Sequence, residues 1–246
     1  MSGHSKWSTI KRKKEKIDGA RAKIFTKIGR ELAVAVKEGG GPDPKSNAKL
    51  KDCIAKAKAA NVPNDNIERI IKKAAGEGDG SKYESIVYEG YGPNGVAVIV
   101  EALTDNRNRT AGDVRHYFDK FGGNLGTSGC VSFLFSEKGV LVIEREGLSE
   151  DTVMGDCLEA GASDFQADED VFEIYTEPDD FSAVLSDLEA KGYEFVSAEV
   201  EMVPTTYTAL NDPDSVLKMQ RLLDHLEDND DIQNVWHNWE NAEDAE

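Results

Sequence analysis

The heptapeptide GEGDGSK, from Gly76 to Lys82, divides the 246-residue chain into two parts that differ in pattern and in charge. It contains three glycines and no large apolar residue, a composition that is typical of a linker between domains. Residues 1–80 carry a net charge of +9, whereas residues 81–246 carry a net charge of −27. Before the heptapeptide apolar residues recur at helical spacing, and after it they alternate as in β-strands. The sequence therefore predicts a basic helical domain followed by acidic domains that contain sheets.

The part before the linker predicts a small helical bundle over residues 1–80. Apolar residues at spacings of three and four predict amphipathic helices, and the helix-breaking sequences GGGPDP and VP separate them. A basic helix comes first, and the predicted helices after it cover residues 20–37, residues 47–60 and the segment from Asn64 onward. Each helix has one apolar face, so the bundle is predicted to have its own core and to fold as a separate domain.

Directly after the linker the pattern predicts an incomplete sheet. A hairpin over residues 83–91 and 95–103 is indicated by two strand-like runs on either side of a Pro-Asn-Gly turn. A helix ending near Phe121, the glycine-rich loop GGNLGTSG and a strand at residues 131–135 follow. This half-sheet has too few elements to cover its apolar face, so we expect a segment from elsewhere in the chain to complete it.

A complete α+β unit comes next in the chain. Residues 138–204 show the order β-α-β-β-α-β, which is the ferredoxin-like split unit with two helices on one face of an antiparallel sheet. A helix over residues 213–227 and a strand over residues 232–239 lie beyond that unit and would supply the missing half of the earlier sheet. The predicted fold class is α+β with three domains: a basic helical bundle (1–80), a discontinuous α+β domain (81–137 plus 205–246) and an inserted ferredoxin-like domain (138–204).

The stretch from Gly3 to Arg30 concentrates positive charge, with ten Lys and Arg residues against two acids. Trp7, Ile10 and Ile17 would give a helix here one narrow apolar seam, although Trp7 is alternatively a platform on which a nucleic-acid base stacks. A solvated lysine-rich helix is the usual explanation of a basic run, but the contrast with the acidic remainder favours a surface that meets polyanions. The candidate nucleic-acid contacts are Lys6, Trp7, Lys11, Arg12, Lys13, Lys14, Lys16, Arg21, Lys23 and Lys27.

The heptapeptide TDNRNRT, from Thr104 to Thr110, is a second candidate site. It precedes a predicted helix, so a phosphate could bind at the helix N-terminus with Arg107 or Arg109 clamping it. The alternative is a simple N-cap with an arginine paired to Asp113 four residues on. The loop GGNLGTSG lacks a P-loop lysine and the GxGxxG spacing, so it is interpreted as a tight turn rather than a nucleotide site.

Patterns for enzyme chemistry, metals and membranes are not evident in the sequence. Three dispersed cysteines, Cys53, Cys130 and Cys157, form no CxxC pair, and the four histidines show no paired metal spacing. No paired carboxylates or activated nucleophile are visible, and no apolar run approaches the length of a membrane span. We therefore expect a cytoplasmic, monomeric binding protein without cofactor or metal, and not an enzyme.

The acidic segment from Asp224 to Glu246 contains nine acids and no Lys or Arg. A solvated tail is the simplest interpretation of such a segment. It could instead be a docking surface for a protein, or an internal decoy that shields the basic domain until nucleic acid competes for it. The sequence leaves these alternatives open.

Several motifs in the same order resemble those of the YebC/PmpR family. They are GHSKW (3–7), KIFTK (23–27), YEGYGPNG (88–95), TDNRNRT (104–110) and GGNLGTSG (122–129), with Cys130 where the family more commonly has serine. The resemblance implies a three-domain, DNA-binding transcriptional regulator, with mitochondrial relatives that activate translation of cytochrome oxidase. The alternative that it implies is a ribosome-associated translation factor that binds rRNA and relieves stalling at proline-rich stretches. Phosphate contacts carry no sequence information, so the basic stretch does not distinguish DNA from rRNA.

Overall fold

The structure is a computed structural model that describes residues 23–76 and 83–240. In these ranges helices come first, and two four-stranded antiparallel sheets with further helices follow. The predicted α+β class is confirmed. Residues 77–82 of the predicted linker lie outside the described ranges.

The N-terminal bundle consists of α1, described from residue 23 to residue 38, α2 (Ala48–Ala59) and α3 (Asn64–Ala75). Its core is formed by the apolar residues that the helical spacing predicts, including Leu32, Ala35, Leu50, Ala57 and Ile67.

Asn47 joins the end of α1 to the start of α2. Its side chain accepts a hydrogen bond from the Leu50 N–H as the N-cap of α2, and its amide donates to the carbonyls of Ala35 and Gly41, each at 2.8 Å. A Cβ at Gly39 would lie 2.1 Å from Asn47 Oδ1, so this buried cap requires glycine at position 39. The GGGPDP sequence thus ends α1 and leaves room for the Asn47 side chain that caps α2.

The first sheet contains β1 (Glu84–Tyr91), β2 (Ala97–Thr104), β3 (Asn124–Leu125) and β8 (Ile232–His237) in the order β3-β1-β2-β8. Two helices, α4 (Arg107–Lys120) and α7 (Pro213–Asp228), cover one face. Side chains from both ends of the chain share this core, among them Val98, Val100, Phe118, Met219, Leu222 and Trp239.

The second sheet contains β4 (Phe135–Glu144), β5 (Asp164–Ala167), β6 (Val171–Thr176) and β7 (Ser197–Pro204) in the order β5-β6-β4-β7. The helices α5 (Glu150–Ala160) and α6 (Phe181–Ala190) pack on one face around Leu141, Phe172 and Leu188. This strand order and this placement of helices are those of the ferredoxin-like split unit.

The prediction of a strand at residues 131–135 is wrong. Residues Ser132–Leu134 form a 3₁₀ turn instead, and β4 starts at Phe135 and continues without interruption to Glu144. The cause is the carboxylate of Glu89, which accepts the N–H groups of Val131 and Ser132. Those N–H groups are therefore unavailable to a strand ladder.

The pairing of β8 with β2 supports the predicted insertion. Ala97 N donates to Asn238 Oδ1, 141 residues away, and the whole second sheet lies between the two strands in sequence. The two sheets also meet, because Phe135 and Met202 of the second pack against Ala97 and Ile99 of the first. The domain boundaries themselves stay predictions.

If α7 is an integral part of the middle domain's core, truncating its buried side chains should destabilise that domain. We expect Leu222→Ala, at a fully buried site, to lower the free energy of unfolding by about 2–5 kcal/mol. Urea unfolding followed by tryptophan fluorescence measures the effect. The matched control is Leu217→Ala on the same helix, where the residue is 45% exposed and the change should stay within about 0.5 kcal/mol. Equal effects of the two variants would contradict the shared core.

Candidate nucleic-acid interface

Most of the nucleic-acid contacts predicted from sequence lie outside the described residues. Lys6, Trp7, Lys11, Arg12, Lys13, Lys14, Lys16 and Arg21 all belong to residues 1–22. The two that are described, Lys23 and Lys27, lie on α1 and face the middle domain. The site is therefore built from α1 and from the elements it contacts.

Lys23 and Lys27 bind the C-terminal end of α7. Lys23 Nζ lies 2.9 Å from Asp228 Oδ1, and Lys27 Nζ donates to the carbonyl of Glu227 at 2.8 Å. The last carbonyls of a helix have no partner within the helix and carry partial negative charge, so a lysine there is favourable. Lys23 and Lys27 are thus engaged within the molecule.

Arg30 continues this contact one turn further along α1. Its Nη1 donates to Asp231 Oδ1 and to the carbonyl of Asp230, both at 2.7 Å, and its guanidinium lies 5.4 Å from the centre of the Tyr83 ring. Lys23, Lys27 and Arg30 are spaced by four and three, so one face of α1 presents all three bases to the same acidic segment.

That acidic segment is EDNDD, residues 227–231, which we call the acidic junction because it joins α7 to β8. It is held in place by its backbone: Leu103 N donates to the carbonyl of Asp231 at 2.7 Å, and Asp231 N donates to Asn229 Oδ1 at 2.9 Å. A cleft of about 500 Å³ opens to solvent between the junction, α1 and the start of α4. Its lining includes Lys23, Arg30, Asp105, Arg109, Asp113 and Asp228.

Asp231 is the buried centre of the acidic junction, with a side chain that is 6% exposed. Its Oδ1 accepts from Arg30, and its Oδ2 accepts from Arg109 Nη2 at 2.7 Å and from the Thr110 hydroxyl at 2.8 Å. Burial alone would raise the pKa of this carboxyl, but the hydrogen bonds from Arg109, Thr110 and Arg30 together outweigh it and hold the pKa below its ordinary value. Asp231 is therefore ionised at neutral pH, and it neutralises two arginines from different domains.

The candidate phosphate site at TDNRNRT has the structure of a capped helix. Asn106 is the N-cap of α4, and its side chain accepts the Arg109 N–H at 3.1 Å. Arg109 is bound to Asp105 at 2.9 Å and to Asp231, rather than to Asp113 as the alternative prediction had it. Arg107 has a side chain that is 67% exposed, with Glu84 at 3.9 Å. The phosphate clamp stays a prediction for both arginines, and the side chain of Arg107 is the more exposed of the two.

Glu89 binds backbone N–H groups at the end of the glycine-rich loop that follows α4. The carboxylate of Glu89 accepts the N–H groups of Gly129, Val131 and Ser132 at 2.7, 2.9 and 2.8 Å. Burial acts to raise the pKa of Glu89, but these three bonds outweigh it and hold the pKa below its ordinary value. Amides that would otherwise suit a phosphate are thus bound to a carboxylate of the protein itself.

Sequence reasoning missed exposed bases on the other two helices of the bundle. Lys51 and Lys58 lie seven residues apart on α2, and Arg69, Lys72 and Lys73 lie on one face of α3. All five are exposed. Their spacings of seven, three and four are visible in the sequence, but the charge there is less dense than in the run before residue 30, where the bundle's predicted contacts lie.

The cysteines are unsuited to nucleophilic chemistry. Burial raises the pKa of the Cys53 and Cys157 thiols to about 11 each, and it also raises the pKa of Cys130. A thiol with a raised pKa stays protonated at neutral pH and is a poor nucleophile. Within residues 23–76 and 83–240 no group of three or more His, Cys, Asp or Glu residues is arranged to hold a metal ion. No helix in the same ranges is long and apolar enough to cross a membrane.

Comparison with family models accounts for nearly the whole chain. The model of the TACO1/YebC protein N-terminal domain matches residues 5–77, and the model of the TACO1/YebC second and third domain matches residues 83–239. The chain belongs to the TACO1/YebC family. The motif resemblance found in the sequence is therefore confirmed, and the short interval between the two matches falls within the predicted linker.

Relatives from the TACO1/YebC family match this chain over almost their full lengths. A protein of Acetivibrio thermocellus is 65% identical over 97% of this chain and 99% of its own length, and one of Ruminiclostridium cellulolyticum is 62% identical over 100% and 99%. Both are named "Probable transcriptional regulatory protein". The crystal structure of a conserved hypothetical protein from Aquifex aeolicus has a TM-score of 0.83 and 46% identity, covering 91% of this chain and 92% of that one.

The lowered pKa of Asp231 predicts how stability depends on pH. A carboxyl whose pKa is lower in the folded state stabilises the protein above the pKa of the unfolded chain, about 3.9, and this contribution is lost as the pH falls through the folded value. We expect Asp231→Asn to lower the free energy of unfolding at pH 7 by about 1.5–3 kcal/mol. At pH values near or below about 3 the difference from the unmodified protein should shrink.

The control for this experiment is Asp105→Asn. Asp105 also binds Arg109 Nη2, at 2.9 Å, but its side chain is 54% exposed, so its removal should have a smaller effect at pH 7. Urea unfolding of both variants at several pH values provides the measurement. A penalty for Asp231→Asn that stays constant down to acidic pH would contradict the ion-pair account.

Proposed function

We propose that this TACO1/YebC family member is a nucleic-acid-binding regulator of gene expression that contacts the phosphate backbone through its basic N-terminal domain. The observation that carries the proposal is the opposite charge of the two parts of the chain, +9 before residue 81 and −27 after it. The names of its relatives, as transcriptional regulatory proteins, support a regulatory role.

The acidic α+β domains restrict the direction from which a polyanion can approach. A surface with a large excess of carboxylates repels nucleic acid, and a separate basic surface attracts it, so the bundle should meet the polymer first. Exposed bases on α2 and α3, notably Lys51, Lys58, Arg69, Lys72 and Lys73, extend the basic surface beyond the N-terminal stretch. The proposed interface therefore includes the exposed bases of α2 and α3 as well as the N-terminal stretch.

Duplex DNA is the polymer that we propose, because the names of the relatives refer to transcription. Phosphate contacts position a protein on a nucleic acid without reading its sequence. We accordingly expect binding that varies little among mixed-sequence duplexes. Equal or tighter binding to a ribosomal RNA fragment under the same conditions would point instead to a ribosome-associated role.

The salt dependence of binding tests the proposed interface. Each phosphate contact should contribute about −0.9 to the slope of log K against log salt concentration on duplex DNA. The variants Lys11→Ala/Lys14→Ala and Lys72→Ala/Lys73→Ala should each make the slope shallower by about two and weaken all duplexes alike. Fluorescence anisotropy titrations of the full chain at several salt concentrations give the slopes.

The control is Lys120→Ala/Arg221→Ala, which removes two exposed positive charges from the acidic part of the molecule. It alters the net charge by the same amount but should leave the slope unchanged, because these residues lie outside the bundle. If the bundle variants retain the original slope, or the control variant loses it, the assignment of the interface to the bundle is incorrect.

A further inference from the structure

The face of α1 that carries Lys23, Lys27 and Arg30 is basic, yet it is covered by the chain's own acidic junction. Lys23 Nζ lies 2.9 Å from Asp228 Oδ1, and Lys27 Nζ donates to the carbonyl of Glu227. Arg30 is bound to the backbone of Asp230 and to the buried carboxylate of Asp231. Carboxylate and carbonyl oxygens here take up donors that would equally suit phosphate oxygens.

The contacts along this face differ in how easily they can be displaced. Asp228 has a side chain that is 75% exposed, and Lys23 is 43% exposed. An ion pair at that exposure contributes little to stability and weakens with salt. The Arg30–Asp231 pair is buried, with 18% and 6% of the side chains exposed, and Asp231 is also bound by Arg109 and Thr110. The exposed Lys23–Asp228 pair can therefore separate while the buried Arg30–Asp231 pair stays formed.

A phosphate from solvent can reach Lys23. The cleft beside Lys23 is open to solvent, and both members of the Lys23–Asp228 pair line it. Lys23 and Lys27 lie on the same helix face four residues apart, so one backbone strand of a nucleic acid can contact both.

Resting on the proposed function, we propose that Lys23 and Lys27 form a phosphate-binding row that the acidic junction occupies when nucleic acid is absent. Nucleic acid binding displaces the Lys23–Asp228 pair and the Lys27 contact with α7, and the Arg30–Asp231 pair remains as the fixed connection between the domains. The junction thus lowers affinity for weak polyanions without being part of the bound interface.

Removal of the competing carboxylate tests the inference. With a short mixed-sequence DNA duplex as the probe, we expect Asp228→Asn in the full chain to bind about two- to fivefold more tightly than the unmodified protein at low salt. The matched control is Asp214→Asn at the other end of α7. Asp214 is also exposed and is also paired with a lysine, Lys218, at 2.6 Å. It makes the same change of net charge but should leave the affinity almost unchanged.

A double-mutant cycle separates competition from a general effect of charge. Lys23→Ala should weaken binding more in the Asp228→Asn background than in the unmodified protein, because there Lys23 no longer has to leave Asp228. Hydrogen exchange adds a readout that does not depend on affinity: amides of residues 227–229 should exchange faster when the duplex is bound, and those of residues 230–231 should not.

The outcomes are distinguishable. If the unmodified protein binds the duplex with a strong salt dependence but Asp228→Asn and Asp214→Asn behave alike and the cycle is additive, the competition is overturned and the proposed function stands. If the unmodified protein binds neither the duplex nor a ribosomal RNA fragment, the proposed function fails and the inference fails with it. If Asp228→Asn binds only RNA more tightly, the phosphate-binding role of Lys23 and Lys27 stands, and RNA replaces DNA as the proposed ligand.

Discussion

The contact between the helical bundle and the first sheet centres on one buried carboxylate. Asp231 accepts hydrogen bonds from Arg30 of the bundle, from Arg109 and Thr110 of α4, and from Thr104 at the end of β2 at 3.3 Å. A desolvated carboxylate is tolerated only when its oxygens are fully paired, and here a guanidinium lies on each oxygen. Polar contacts of this kind require specific geometry, so this residue sets the position of α1 relative to the first sheet.

A second ionic contact joins the bundle to the ferredoxin-like unit. Lys56 Nζ lies 3.1 Å from Glu31 on α1 and 3.5 Å from Glu199 on β7. Burial favours the neutral amine, but the two carboxylates outweigh it and raise the pKa of Lys56 above its ordinary value. The bundle therefore meets both α+β units through ion pairs, whereas each unit is held together internally by apolar side chains. Partly exposed ion pairs weaken with salt much more than apolar cores do.

Features that depend on local periodicity could be predicted from the sequence, and those that depend on distant partners could not. The apolar spacing in α2, α3 and α7 and the strand–helix order of residues 138–204 are local patterns. The error at residues 131–135 arose because Glu89, about 40 residues earlier, binds the N–H groups of Val131 and Ser132. No local sequence pattern predicts such a bond. Similarly, charge marked Lys23 as a phosphate contact, but its partner Asp228 is 205 residues away. Composition also could not single out Asp231 as the buried member of an acidic segment.

Groups that could bind anions are already occupied by the protein's own side chains at several places in the α+β part. Glu89 fills the amides of the glycine-rich loop, and Asn106 caps the N-terminus of α4. Glu89 is buried. A phosphate would therefore have to displace a desolvated carboxylate to reach the amides of the glycine-rich loop. The Lys23–Asp228 pair differs because both side chains are substantially exposed. If Lys23 binds phosphate as proposed, exposure rather than the number of basic groups decides where an internal carboxylate gives way to an external phosphate.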